Sequence, residues 1–119
     1  IEFDDEKKVI TIITPGENKI VISDEDKSIL ITDQSANKFE LSDSGIVVDS
    51  PKDISFSAKG KISLDAMGEI SISSKADLKA AGMNIEHNAN VGLTSKGGAS
   101  AELSAGGNTT VKGAMVMIN

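Results

Sequence analysis

Residues 54–73 read ISFSAKGKISLDAMGEISIS, and the text nearly repeats every eight residues: Ile54-Ser55 recurs as Ile62-Ser63 and as Ile70-Ser71. Inside this period runs a second one. Ile54, Phe56, Ala58, Gly60, Ile62, Leu64, Ala66, Gly68, Ile70 and Ile72 occupy every second position, with Ser, Lys, Asp and Glu between most of them. Period two places alternate side chains on opposite faces of extended chain, so one face is apolar and small and the other polar. The alternation continues through Leu78 and Ala80, slips by one residue near Ala80-Ala81-Gly82, and resumes on odd numbers from Met83 and Ile85 to Met115. An uncorrected slip would turn every later side chain to the wrong face, and a glycine at the slip supplies a bulge or corner that restores the facing.

Between the alternating stretches stand Ala58-Lys59-Gly60, Ala66-Met67-Gly68 and Ser74-Lys75-Ala76, which suit corners rather than reversals. Hairpins would carry turn pairs such as Asn-Gly. The expectation is a solenoid of strands. An octad is too short to circle a core by itself, since a single-chain coil needs on the order of 20 residues or more. Three chains, each giving one wall of a prism about a three-fold axis, would close the core and leave no open edges. The predicted fold is all-β: a homotrimeric triple-stranded β-helix over 54–119, preceded by short strands over 1–53. Eight octads fit between 54 and 117, and strands stacking at about 4.8 Å give a rod on the order of 40 Å.

Residues 1–53 differ in texture. VITIIT, KIVIS, SILIT, KFEL and IVVDS are separated by turns at 15–18, 24–27, 33–37 and 42–45, rich in Gly, Asn, Asp and Ser. Whether these strands wrap as octads or as looser hairpins is open from the text. Charge shifts at the same place: residues 1–53 hold 13 acidic and 6 basic groups, residues 54–119 hold 5 and 6. The acidic surface argues against nucleic acid as a partner. Three Phe, with no Trp or Tyr, deny both a bulky globular core and the aromatic platforms of a carbohydrate-cleaving β-helix. The opening IEFDDEKKVITI reads as mid-strand, so a longer protein is expected.

Few residues invite chemistry. Asp24-Glu25-Asp26 opens like a calcium loop, but Ile29 stands where the required glycine belongs and no helices flank it, so a solvated turn is the reading. Asp4-Asp5-Glu6 reads as surface charge. Gly97-Gly98 and Gly106-Gly107 lack the Lys-Ser/Thr of a phosphate loop and read as corners. A hydrolytic triad has no support, because His87 is the only histidine and falls on the inward row. In a trimer three copies of His87 would meet near the axis. They form an axial ion candidate, weighed against neutral imidazoles bonded to one another or to water. The last stretch, Ala114, Met115, Val116, Met117, Ile118 and Asn119, abandons alternation and is apolar on both faces. It either caps the prism or offers an apolar platform to a partner, and docking is the expectation.

GENKIVISDEDKSILITDQSANKFELSDSGIVVDSPKDISFSAKGKISLDA and the ending AELSAGGNTTVKGAMVMIN resemble the C-terminal region of valine–glycine repeat (VgrG) spike proteins. The most specific parts are NKIVISD from Asn18, SPKDI at Ser50–Ile54 and VKGAMVMIN from Val111. That family forms the trimeric spike of type VI secretion systems and is similar to the central spike of contractile phage tails. The resemblance implies a cell-puncturing, effector-delivering structural role with no enzymatic activity and no cofactor. It implies assembly in the bacterial cytoplasm followed by secretion into a target cell, where the spike meets the membrane only transiently. It also implies a PAAR-repeat protein on the tip at 114–119, and an OB-fold domain before residue 1 that leads to the tail-tube protein and effectors. The histidine-pair metal site of some phage spikes is not carried over, since this chain has no His-x-His. The rival reading is the shaft of a trimeric viral fibre or adhesin.

Overall fold

Branched apolar residues alternate through the first half, and each run ends in a polar turn; the result is a meander of hairpins. A computed structural model describes residues 1–119 and gives six strands: β1 (Glu2–Asp4), β2 (Val9–Ile13), β3 (Lys19–Ser23), β4 (Ser28–Thr32), β5 (Lys38–Ser42) and β6 (Gly45–Asp49). They form one antiparallel sheet in sequence order, β1 to β6. The fold is all-β, and the region before residue 50 is built from hairpins, which settles the alternative left open by the text.

The turns explain how five-residue strands keep register. Between β2 and β3, Glu17 N–H donates to Thr14 O (2.9 Å) and Thr14 N–H to Asn18 O (3.0 Å). Between β4 and β5 the pattern recurs, with Ala36 N–H donating to Asp33 O (3.2 Å) and Asp33 N–H to Asn37 O (3.2 Å). Each of these three-residue loops ends on a left-handed residue, Glu17 at φ 67° and Ala36 at φ 65°. That is the geometry of a tight turn followed by a bulge, which matches the right-handed strand twist. Asn or Gly would have announced it, and neither occupies the left-handed position. Polar side chains hold the geometry instead. The Asp33 carboxylate accepts from Ser35 N–H and Asn37 N–H (2.9 Å each) and from Asn37 Nδ2 (2.8 Å).

At the opposite end Ser23, the one buried residue, donates its hydroxyl to Asp26 Oδ2 and accepts from Asp26 N–H, both at 3.0 Å. The Asp24-Glu25-Asp26 cluster is thereby a turn closed on itself. Asp24 N–H donates to Lys8 O (3.1 Å), so this turn also ties to the one between β1 and β2.

Beyond β6 the organisation changes. The backbone bends at Pro51-Lys52, Lys59-Gly60, Met67-Gly68, Lys75-Ala76, Met83, Asn90-Val91, Gly98-Ala99, Gly106-Gly107 and Ala114. Up to Ala114 the bends are separated by straight runs of six residues, so the period is eight. The corner at Met83 holds one residue where the corners from Pro51 to Gly107 otherwise hold two. This shortened corner absorbs the slip in alternation and returns later side chains to their face. A Cβ on neighbouring Gly82 would stand 3.3 Å from the carbonyl oxygen of Asn84, so the approach to that corner is tight.

No backbone hydrogen bond joins one run to another, and every residue from Pro51 on is exposed. The strands expected over 54–119 therefore find no partner within their own chain: the short corners bend the backbone without bringing neighbouring runs into hydrogen-bonding register. By contact the chain divides into the units Ile1–Ile70 and Ser71–Asn119.

Two predictions follow from this geometry. A Cβ at Gly97 would overlap the Ser100 carbonyl, whereas one at Gly98 meets nothing within 4 Å. Gly97→Ala should therefore lower the melting temperature, read by circular dichroism. The hydrogen bonds from Asn37 hold the Asp33 carboxyl below its ordinary value. A depressed folded-state pKa contributes stability that is present above the ordinary carboxylate range and lost as pH falls through the depressed value. The melting-temperature gap between the native protein and Asp33→Asn should accordingly shrink as pH falls through that window, and a gap constant with pH would refute it.

Candidate functional site

Cross-strand partners share a face of the sheet, so the register sorts the side chains. One rung runs Phe3, Ile10, Ile22, Ile29, Leu41, Ile46; a second runs Ile12, Ile20, Ile31, Phe39, Val48. This face is apolar throughout. The other face mixes Thr11, Val21, Leu30, Glu40 and Val47 with rows such as Lys19, Thr32, Lys38 and Asp49. Its one ion pair, Lys38 Nζ to Glu40 Oε2 at 3.3 Å, is half-exposed and contributes little.

No second layer of the chain packs over the apolar face. No hydrophobic side chain is buried, and even central Ile29 and Ile31 remain 39% and 42% exposed. A sheet needs a second layer to remove its apolar face from water, and here the layer must come from another molecule. The face is concave at one end. The whole second rung lines a groove of about 510 Å³, and Ile54, Asn37, Ser50 and Asp53 line it too.

One polar line fixes that end of the groove. Ser50 Oγ donates to Asn37 Oδ1 (2.6 Å) and accepts from Lys52 N–H (3.1 Å). Asn37 is itself held by Asp33, and Gln34 N–H donates to Asn18 Oδ1 (3.3 Å) in the next turn over. The chain thus leaves the sheet at a corner pinned to the hairpin ends.

The residues singled out from the text lie elsewhere. His87 sits in the run 84–89 and is exposed within one chain. No three His, Cys, Asp or Glu side chains of one chain converge as metal ligands. Ala114 is the last bend, and Met115, Met117 and Ile118 beyond it are 78%, 85% and 93% exposed. Sequence reasoning named the tip and passed over the larger surface, the two-rung face of the sheet. The signal was present as Ile and Phe at alternate positions of successive strands, but a face becomes visible only once register is known.

An apolar sheet face without a second layer, followed by corners at a period of eight, is an association surface, and comparison with known proteins says of what kind. The family model of the phage baseplate V C-terminal trimerisation domain matches residues 9–76. The chain belongs to this family. The match takes in β2 to β6 and the first corners, the segment that carries the apolar face. It agrees with the resemblance to the C-terminal region of valine–glycine repeat and phage spikes, and the all-β fold with its octad corners fits a triple-stranded β-helix. Membership supports a structural role of the phage-tail spike type. No curated protein matches the chain.

The two faces should respond differently to mutation. Ile31→Gln should weaken association by about 2 kcal/mol per chain, the order of one buried aliphatic side chain. Leu30→Gln, on the mixed face, should cost under about 1 kcal/mol. Concentration-dependent unfolding checks this, and equal effects would show that the faces are not distinguished.

Proposed function

We propose that the chain is the shaft of a homotrimeric spike in a contractile injection apparatus, which carries effectors across a target membrane. The observation that carries this reading is an apolar sheet face with no buried hydrophobic residue, in a sheet whose strands β2 to β6 fall inside a trimerisation-domain match. Three such faces turned to one axis would form the core that no single copy has. In the octad rows Ala and Gly would fill a narrow centre, with polar side chains outside. The shaft supplies stiffness, and the energy of puncture comes from the contracting machine behind it.

On this reading Ala114–Asn119 is a blunt apolar end that receives a conical PAAR-repeat protein. The opposite end leads through an OB-fold domain to the tail-tube protein, from which effectors are carried. The spike assembles in the bacterial cytoplasm and leaves it for the target cell. Where three copies of His87 would meet, the reading places an axial ion or a ring of neutral imidazoles.

The test is mass in solution by light scattering, before and after exposure to detergent at raised temperature. Three chains per particle, persisting in detergent, are expected, because no copy can leave without exposing the shared core. A folded monomer overturns the reading. In the trimer, Met117→Asp should abolish capture of a PAAR-repeat protein without changing the mass. Capture undiminished by Met117→Asp would refute the tip assignment.

A further inference from the structure

Strand β6 belongs to two repeats at once. Its apolar-face residues Ile46 and Val48 stand eight residues before Ile54 and Phe56, which stand eight before Ile62 and Leu64. The hairpin turn ahead of β6, at Asp43-Ser44, likewise precedes the corner at Pro51-Lys52 by eight. The last strand of the meander is therefore already an octad of the repeat that follows. It is also open. β5 covers one edge of β6 and nothing covers the other, and Ile46 is 67% exposed against 39% for Ile29 at mid-sheet. β6 carries no Lys and no Pro, and its one charge, Asp49, is its last residue.

The corner after β6 sets where the chain goes next. Held by the Ser50–Asn37 hydrogen bond, it turns toward the apolar side, since Ile54 lines the same groove as the second rung. A chain that bends around the apolar side without reversing leaves its own wall for the adjacent one, travelling in the same rotational sense. About a three-fold axis, each wall then receives the run that another copy sends over.

We infer that residues 53–58 of one copy pair with the open edge of β6 in the neighbouring copy, parallel to it and eight residues out of step. Ile54 then stacks on the neighbour's Ile46 and Phe56 on its Val48, so the meander passes into the interwoven region with no unpaired strand between. The inference rests on the homotrimer reading and adds to it where the chains begin to cross.

Paired disulfides test it, since the chain has no cysteine of its own. Val47 and Ser55 lie between the inward residues, on the outer face, eight apart. Stacked neighbours at about 4.8 Å fall within disulfide reach. The full-chain variant V47C/S55C, mildly oxidised, should lose its one-chain band into a three-chain band on a denaturing gel, restored by reductant. D49C/S57C, in the same register, should behave alike, and V47C/S63C, one octad out, should not link. Light scattering on the same oxidised samples separates the failures. A trimer in which neither in-register pair links, or links only within one chain, overturns the crossing and leaves the trimer standing; a monomer overturns both.

Discussion

The structure depends on one shortage: this chain owns apolar rows but no second layer to put against them. Chains of this length ordinarily fold a strand or helix back over such a surface. Here the six-strand sheet uses every strand in a single layer, and the runs after it bend at their corners without pairing on the sheet or on one another. Hydrophobic burial is therefore available only between molecules, and folding and assembly become one equilibrium. That is the physical content of a trimerisation domain, and it is how an acidic, aromatic-poor chain can still bury an apolar face.

Polar groups decide geometry where the apolar ones supply only attraction. Left-handed backbone at Glu17, Lys27 and Ala36 carries a conformational cost that Asn or Gly would have avoided. Thr14, Ser23 and Asp33 offset it by binding the free N–H groups of the turns. The same device, moved one step along, lets Asn37 hold Ser50 and so aim the chain out of the sheet. Direction at this corner comes from a short string of hydrogen bonds rather than from packing.

Much of the fold was legible because its two periods, two and eight, are written in side-chain size. KIVIS and SILIT coincide with β3 and β4, and the corners at Lys59-Gly60 and Met67-Gly68 fall where small residues interrupt the rows. The antiparallel meander was only half legible. Its loops end on Glu17 and Ala36, which carry no turn signature, so hairpins and octads looked alike. The association face was the least legible part. Ile10, Ile22, Ile29 and Leu41 are scattered through four strands, and only their register assembles them into one surface. The dual membership of β6 stayed hidden because the Ile46–Val48 pair sits in a segment whose neighbours read as hairpin.

The one-residue corner at Met83 bears on how such chains can vary. Inside a six-residue run, losing a single residue inverts everything that follows, whereas at a corner the same loss is absorbed. Length is thus quantised: related chains can differ by whole octads, or by single residues at corners, and hardly otherwise. Met83 marks the place in this chain where a corner is one residue short and the alternation still returns to its face.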